Sequence, residues 1–392
     1  MPAEAIQADR QSPRFLWLYA LAWAGGAIGY VPFLTILLPL RITAVTGTDN
    51  IRWLALITFS GAIAASVGNI LFGWLSDRSG SRRGWIASGL ALNVGLLLAM
   101  TLVVAPLALL GLILLWQLAL NMMLGPLSAW AGDCVPRVQM GLLGGLLAFA
   151  PAMGALAGVL ITVPNFAGPS ARVVLVAALI VVCVAPVLLF GRPLSVPVAD
   201  DPKTPIQVRR PFIAMWLARL LVQIAEAALF AYLLIYFRSV QPDIGEDFIA
   251  RLFCVVLVAA VPIALVVGRW ADRTQRPFFP LAIAATFAGS GLVVLALSRS
   301  VDWAIPGYML FGLATTVFLS LHSGQTLRVL PRAKHRGRDL GVFNLTNTVP
   351  SLIMPWLTIA IVPRGGYATL FVVLAALAAT SATLLFTLKR LD

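Results

Sequence analysis

Charge is almost absent from long stretches of this chain, and that constrains the fold more than any motif does. No Asp, Glu, Lys or Arg occurs in 15–40, 53–76, 84–132, 138–171, 173–191, 252–268, 277–298, 303–327, 340–363 or 365–388. A helix needs about 20 apolar residues to cross roughly 30 Å of hydrocarbon. The 49-residue run 84–132 therefore holds two helices, broken around Val104-Ala105-Pro106. The run 138–171 holds one helix that ends at the turn signal Pro164-Asn165-Phe166-Ala167-Gly168-Pro169. Residues 211–237 are apolar apart from Arg219 and Glu226. Twelve membrane helices are expected, at about 15–40, 52–76, 84–104, 107–131, 138–163, 171–191, 211–237, 248–271, 278–298, 303–328, 338–362 and 366–388.

Composition supports this all-α polytopic reading. A soluble chain carries about 25% charged residues, whereas this one carries 11%, with 60% hydrophobic residues over 392 positions. Water-soluble enzyme classes are excluded. The net charge of +13 does not indicate a nucleic-acid partner, because the 28 Lys and Arg sit between apolar runs and form no basic stripe. With both termini in the cytoplasm, 20 of them fall in cytoplasmic loops against seven outside, leaving only Arg219 inside a span. That bias is the positive-inside pattern, and a cytoplasmic (inner) membrane location follows from it as an expectation. The first apolar run, 26 residues without a small-residue cleavage site, reads as a span, not a cleaved leader. Cys134, Cys183 and Cys254 have neither metal-ligand nor disulfide-framework spacing.

The one polar linker of any length, 192–210, divides the chain into six helices and six helices, 1–191 and 211–392. The halves repeat each other. Gly73-Trp-Leu-Ser-Asp77-Arg78 and Gly268-Arg-Trp-Ala-Asp272-Arg273 share G-x-x-x-D-R at an offset of 195 residues. The same offset maps Val135-Pro136-Arg137 onto Leu330-Pro331-Arg332, and with one inserted residue Gly141 and Gly145 map onto Gly337 and Gly341. A six-plus-six parallel repeat with the solute path between halves is an architecture of secondary transporters.

On these residues the whole chain resembles the major facilitator superfamily. Gly73-Trp-Leu-Ser-Asp77-Arg78-Ser-Gly80-Ser-Arg82-Arg83 is similar to its signature loop between helices 2 and 3, with the extra residue before the basic pair common in sugar-transporting branches. Asp133-Cys-Val-Pro136-Arg-Val-Gln-Met140-Gly141-Leu-Leu-Gly-Gly145 is similar to the loop between helices 4 and 5 of sucrose-type and glycoside-pentoside-hexuronide-type transporters. Met140 stands where those relatives carry a basic residue, so one cytoplasmic charge contact lacks its partner; the second half keeps Arg336 before Gly337. Gly73 permits close helix approach. Asp77 suits the positive N-terminal end of another helix, worth about 0.3–2 kcal/mol. The resemblance implies that this helix is helix 11, that the contact latches the cytoplasmic side, and that Gly73, Asp77, Arg78, Gly80, Arg82, Arg83, Asp133, Gly268, Asp272 and Arg273 serve gating, not solute binding.

Cargo and coupling candidates centre on helix 7, where Arg219, Gln223 and Glu226 fall at i, i+4 and i+7 on one face. Ionisable groups within a span cost at least about 2.5–3.5 kcal/mol on insertion scales and tend to line cavities. A desolvated carboxyl at Glu226 favours its protonated form, which suits a proton carrier; a structural polar cluster is the alternative. Seven residues of helix rise, about 10.5 Å, separate Arg219 from Glu226, too far for a direct pair, so either Gln223 bridges them or each has its own partner on another helix or in the cargo. Gln117 and Asn121 on helix 4, and Asn344 and Asn347 on helix 11, can bind sugar hydroxyls or glue helices. His322 and Gln325 on helix 10 suit packing or proton relay. Trp23, Trp116 and Trp356 lie deep enough to stack on a sugar ring or to pack. Gly25, Gly26, Gly29 and Pro32 either break helix 1 or let it pack closely. Ala150-Pro151 is a partial echo of the antiporter glycine-proline signature.

No G-x-x-x-x-G-K-[ST] loop and no metal-spaced His/Cys cluster is present, so neither cofactor, metal nor enzymatic activity is expected. The expected function is alternating-access secondary transport, as proton-coupled symport of a sugar, glycoside or related polar solute; the alternative is a proton-driven drug or metabolite exporter. The expected partners are a small-molecule solute, protons and the lipid bilayer, with the chain a monomer.

Overall fold

The structure, a computed structural model, describes residues 10–46, 50–163, 168–194, 209–330 and 332–388. Much of the linker (195–208), the turn residues 164–167 and Pro331 lie outside the described residues. Within them all regular structure is helical.

Proline and glycine set most helix boundaries. Helix α1 begins at Pro13, where Ser12 Oγ accepts from the Phe15 amide at 3.3 Å. It runs to Pro32, then makes a π-helical turn over Phe33–Leu37 and continues as Leu38–Thr46. Pro32 has no amide hydrogen to give, and the wider turn that follows absorbs the mismatch. The glycines of α1 pack, they do not break it: a Cβ on Gly25 would strike Val184 and Cys183, and one on Gly26 would strike Leu124. Helices α2 (Asn50–Ser79) and α3 (Arg82–Ala99) follow. The expected break near Val104 is extended backbone before Pro106, with Arg41 donating to the carbonyls of Thr101 (2.9 Å) and Val103 (2.7 Å).

Next come α4 (Pro106–Cys134) and α5, which spans Arg137–Thr162 but is interrupted at Ala148 between Met140–Leu147 and Phe149–Thr162. Pro151 lies four residues beyond Leu147 and cannot donate to its carbonyl, which accounts for the break. Helices α6 (Pro169–Phe190), α7 (Arg209–Val240), α8 (Glu246–Thr274), α9 (Phe279–Leu297) and α10 (Val301–Thr326) complete the middle of the chain. The helical stretch Arg336–Leu388 turns at Gly366 (φ 69°, ψ −178°), dividing it into α11 (336–365) and α12 (367–388). Eleven helices among the described residues are long and apolar enough to cross a membrane; the Gly366 turn supplies the twelfth segment.

Two compact units emerge. The first comprises the described residues of Met1–Pro136, Phe149–Asp200 and Arg332–Asn344; the second those of Arg137–Ala148, Asp201–Pro331 and Leu345–Asp392. Each unit thus takes one segment from the opposite half of the sequence. In the first, α4 packs on α2 and α3, while α1 packs on α6 and the Phe149–Thr162 part of α5. In the second, α10 packs on α9 and α8, and the Met140–Leu147 part of α5 packs on α8 and α10. The break at Ala148 is where α5 passes from one unit to the other.

Candidate functional site

The exchanged segments are held by the two repeated loops. In the first unit Asp77, at the end of α2, accepts from the amides of Gly337 (2.9 Å) and Arg338 (3.0 Å), the first turn of α11. Those amides have no intrahelical acceptor, and the carboxylate also meets the positive end of the helix dipole. Gly73 and Gly337 make this approach possible, since a Cβ on either would strike the other's backbone. Arg82 pairs with Asp77 at 2.7 Å and with Asp133 at 2.9 Å, and donates to the buried Ser76 hydroxyl. Arg336 closes the network on Asp133 at 2.9 Å. Arg83 donates to the carbonyls of Leu188 and Gly191 at the end of α6. Arg78 and Arg273 are exposed, Arg78 lying over the Trp74 ring. Gly80 follows α2 with φ +67°, the left-handed conformation that favours glycine.

The second unit repeats the geometry with a charge exchange. Asp272 accepts from the amides of Gly141 and Leu142, both at 2.8 Å, at the start of α5, and Gly268 touches Gly141. Its cation is Arg328 at 3.5 Å, which also donates to the Arg137 carbonyl. The 195-residue offset pairs Asp133 with Arg328, and, counting the inserted residue, Met140 with Arg336. A basic residue at 140 would therefore face a cation where Arg336 faces an anion. By the repeat, Arg328 holds the position that Asp133 holds in the first unit, and an uncharged residue at 140 fits a cation there.

The helix 7 candidates lie in the second unit. Arg219 turns toward α10 and α11, donating to Ser323 Oγ at 3.0 Å, to Asn347 Oδ1 at 3.4 Å and to the Leu319 carbonyl at 3.5 Å. It also lies 3.4 Å from His322 Nδ1. The fully buried His322 has Nε2 2.9 Å from the Met215 carbonyl, so that nitrogen carries the hydrogen and Nδ1 accepts. One helical turn along, the Gln223 side chain hydrogen-bonds Glu226. Arg219 thus hydrogen-bonds groups of α10 and α11, whereas Glu226 hydrogen-bonds Gln223 of its own helix.

The remaining candidates separate. Asn121 accepts from Asn69 Nδ2 at 2.9 Å and donates to the Gln117 carbonyl at 2.9 Å, tying α4 to α2. Trp116 has no exposed surface and packs its ring 4.7 Å from that of Phe33. Trp23 donates to the Tyr19 hydroxyl at 2.6 Å, and Trp356 is exposed. Asn344 falls in the α11 segment of the first unit, whereas Asn347 belongs to the second. Asn69 and Ser323 are added by the structure; each was visible in the sequence only as a polar group within an apolar run. No cluster of three or more His, Cys, Asp or Glu suited to a metal occurs among the described residues.

The family description Major Facilitator Superfamily matches residues 15–321 and 215–392. No curated protein sequence matches the chain. Solved structures share its fold. The human organic anion transporter MFSD10 (TETRAN) has a TM-score of 0.72 at 14% identity, over 95% of this chain and 100% of that one. A bacterial homologue of the iron transporter ferroportin in an outward-facing state has 0.71 at 15% identity, over 95% and 98%. The same bacterial homologue with soaked iron has 0.72 at 15% identity, over the same shares.

Proposed function

This chain belongs to the Major Facilitator Superfamily and is a multi-pass integral membrane transporter of the secondary kind; from that premise we propose that it couples proton movement to transport of a small polar solute. The observation that carries the proposal is the face of α7. Arg219 sits among the hydrogen-bonding groups of Ser323 and Asn347, two turns from a carboxylate attended by Gln223. Glu226 carries the proton, and Arg219 with Asn347 and Ser323 binds the solute. Gln117, Asn121, Asn344 and Trp116 act in support, on helix positions rather than on the cargo. The two six-helix halves, 1–191 and 211–392, alternate about the solute, and the loops at Asp77 and Asp272 latch the cytoplasmic side, where both termini lie. The protein works as a monomer.

The solute class favoured by the motif style is a sugar, glycoside or related compound. Organic anions belong in the same assay, because Arg219 is a guanidinium within a span and because MFSD10 is named as an organic anion transporter. A second reading, proton-driven export, is supported by the interruption of α5 at Ala148 before Pro151. Purified protein in proteoliposomes with an imposed proton gradient, offered sugars, organic anions and dyes, tests all of this. Accumulation along the proton flux supports symport, accumulation against it supports export, and gradient-independent movement alone overturns proton coupling.

A further inference from the structure

Beyond the solute path, the first unit contains a cavity of about 270 Å³ lined by Ser12, Arg14, Phe15, Leu189, Phe190 and Arg192. It lies where α1 begins and α6 ends. We propose that this cavity binds the phosphate headgroup of an anionic phospholipid.

Three features carry the proposal. The walls are held in place from inside: Gln11, 2% exposed, donates to the Cys134 carbonyl at 2.9 Å and to the Leu194 carbonyl at 3.3 Å, and accepts from the Leu194 amide at 3.2 Å. The segment after α6 is thereby clamped to the start of α1, and Arg14 and Arg192 are brought to one cavity from residues far apart in sequence. Second, the local demand for cations is already met by another residue. Arg83 takes the Leu188 and Gly191 carbonyls at the negative end of α6, and no hydrogen bond or ion pair engages Arg14 or Arg192 among the described residues. Two guanidiniums beside the positive N-terminal end of α1 favour an anion, phosphate above all. Third, the neighbours are apolar and open. Leu189 is 70% and Phe190 54% exposed, a surface that suits acyl chains and gives a free anion nothing. The volume is near the low end for ligand pockets, about 300 Å³, which fits a headgroup better than a transported organic solute.

The test uses the full-length protein, delipidated in a neutral detergent. It is titrated with dioleoylphosphatidylglycerol, dioleoylphosphatidylcholine or inorganic phosphate, and bound adducts are counted by native mass spectrometry. Phosphatidylglycerol should bind in preference to phosphatidylcholine. At about 1 kcal/mol per basic residue near an anionic headgroup, R14Q/R192Q should weaken that binding roughly 30-fold. R14K/R192K keeps the charge and should stay within a few-fold of the parent. R276Q/R299Q removes the same charge elsewhere and should leave binding unchanged, and melting curves establish that each variant is folded. Equal loss in R14Q/R192Q and R276Q/R299Q, or no preference for phosphatidylglycerol over phosphatidylcholine, overturns the site. Inorganic phosphate binding as tightly as the lipid overturns the lipid assignment.

Discussion

Glu226 and Arg219 share a face of α7 but answer to different partners, so their substitutions should separate. Glu226→Gln imitates the protonated carboxyl and keeps the hydrogen bond from Gln223 within reach. If Glu226 carries the proton, the variant loses uphill accumulation at least tenfold while counterflow exchange stays near the parent level. Arg219→Ala removes the donor to Ser323 and Asn347 and should lower both activities. Uptake, counterflow and melting temperature measured together discriminate this from a merely structural cluster, in which both variants would lose stability and yield in parallel. Asp77→Asn is a second residue-scale case. It retains an acceptor for one α11 amide but loses the charge opposite Arg82 and the helix dipole, worth about 0.5–2 kcal/mol. Transport should fall without a change in which solutes are taken, read as the ratio of uptake rates across the solute panel; altered preference would place Asp77 on the solute path.

At the scale of elements, the two repeated loops solve one problem with different residues. Arg82 serves Asp77 from the first residue of α3, whereas Arg328 serves Asp272 from beyond α10. Met140→Arg should cost at least about 1 kcal/mol, because Met140 is buried and the new cation meets Arg328 there. Arg328→Glu should cost more, since it also removes the cation beside Asp272. Combining them creates the pair that Asp133 and Arg336 already form, so the double variant should be more stable than the sum of the singles by about 1 kcal/mol. A strictly additive result in melting experiments would refute the exchange. The turns after the loops differ as well. Gly80 (φ +67°) and Gln275 (φ +54°) occupy equivalent left-handed positions at the 195-residue offset, and Gln275 bonds the Asp272 carbonyl at 2.6 Å. Gly80→Ala should therefore cost about 1–2 kcal/mol, and Gly80→Gln less, because its amide can reach back to Asp77. Equal costs for the two would show that the side-chain bond contributes nothing.

At the scale of the whole molecule, the proposed orientation rests on the distribution of Arg and Lys. Ser79, beside the signature loop, and Ser170, near the start of α6, belong to opposite ends of membrane spans. In a cysteine-free background, Ser170→Cys in intact cells should react with an impermeant maleimide, and Ser79→Cys should react only after permeabilisation. The reverse pattern would invert the topology.

Much of this was legible without coordinates. Span positions follow from the absence of charge, because an unpaired ion in hydrocarbon is too costly to be placed there casually. The break before Pro106 and the separation of α11 from α12 fall where proline and glycine mark the chain, and the two-fold repeat is written in G-x-x-x-D-R itself. Other features needed the tertiary structure. A run of uncharged residues does not say that α5 parts at Ala148, with its first half packed on α8 and α10 and its second on α1. Nor does it say that Trp116 is sealed against Phe33, that Asn121 spends its amide on Asn69, or that Arg328 replaces Arg82. Hydropathy reports the cost of leaving water, which each segment incurs by itself. Which polar group meets which depends on contacts between residues 50 to 260 positions apart, and those exist only once the helices have packed.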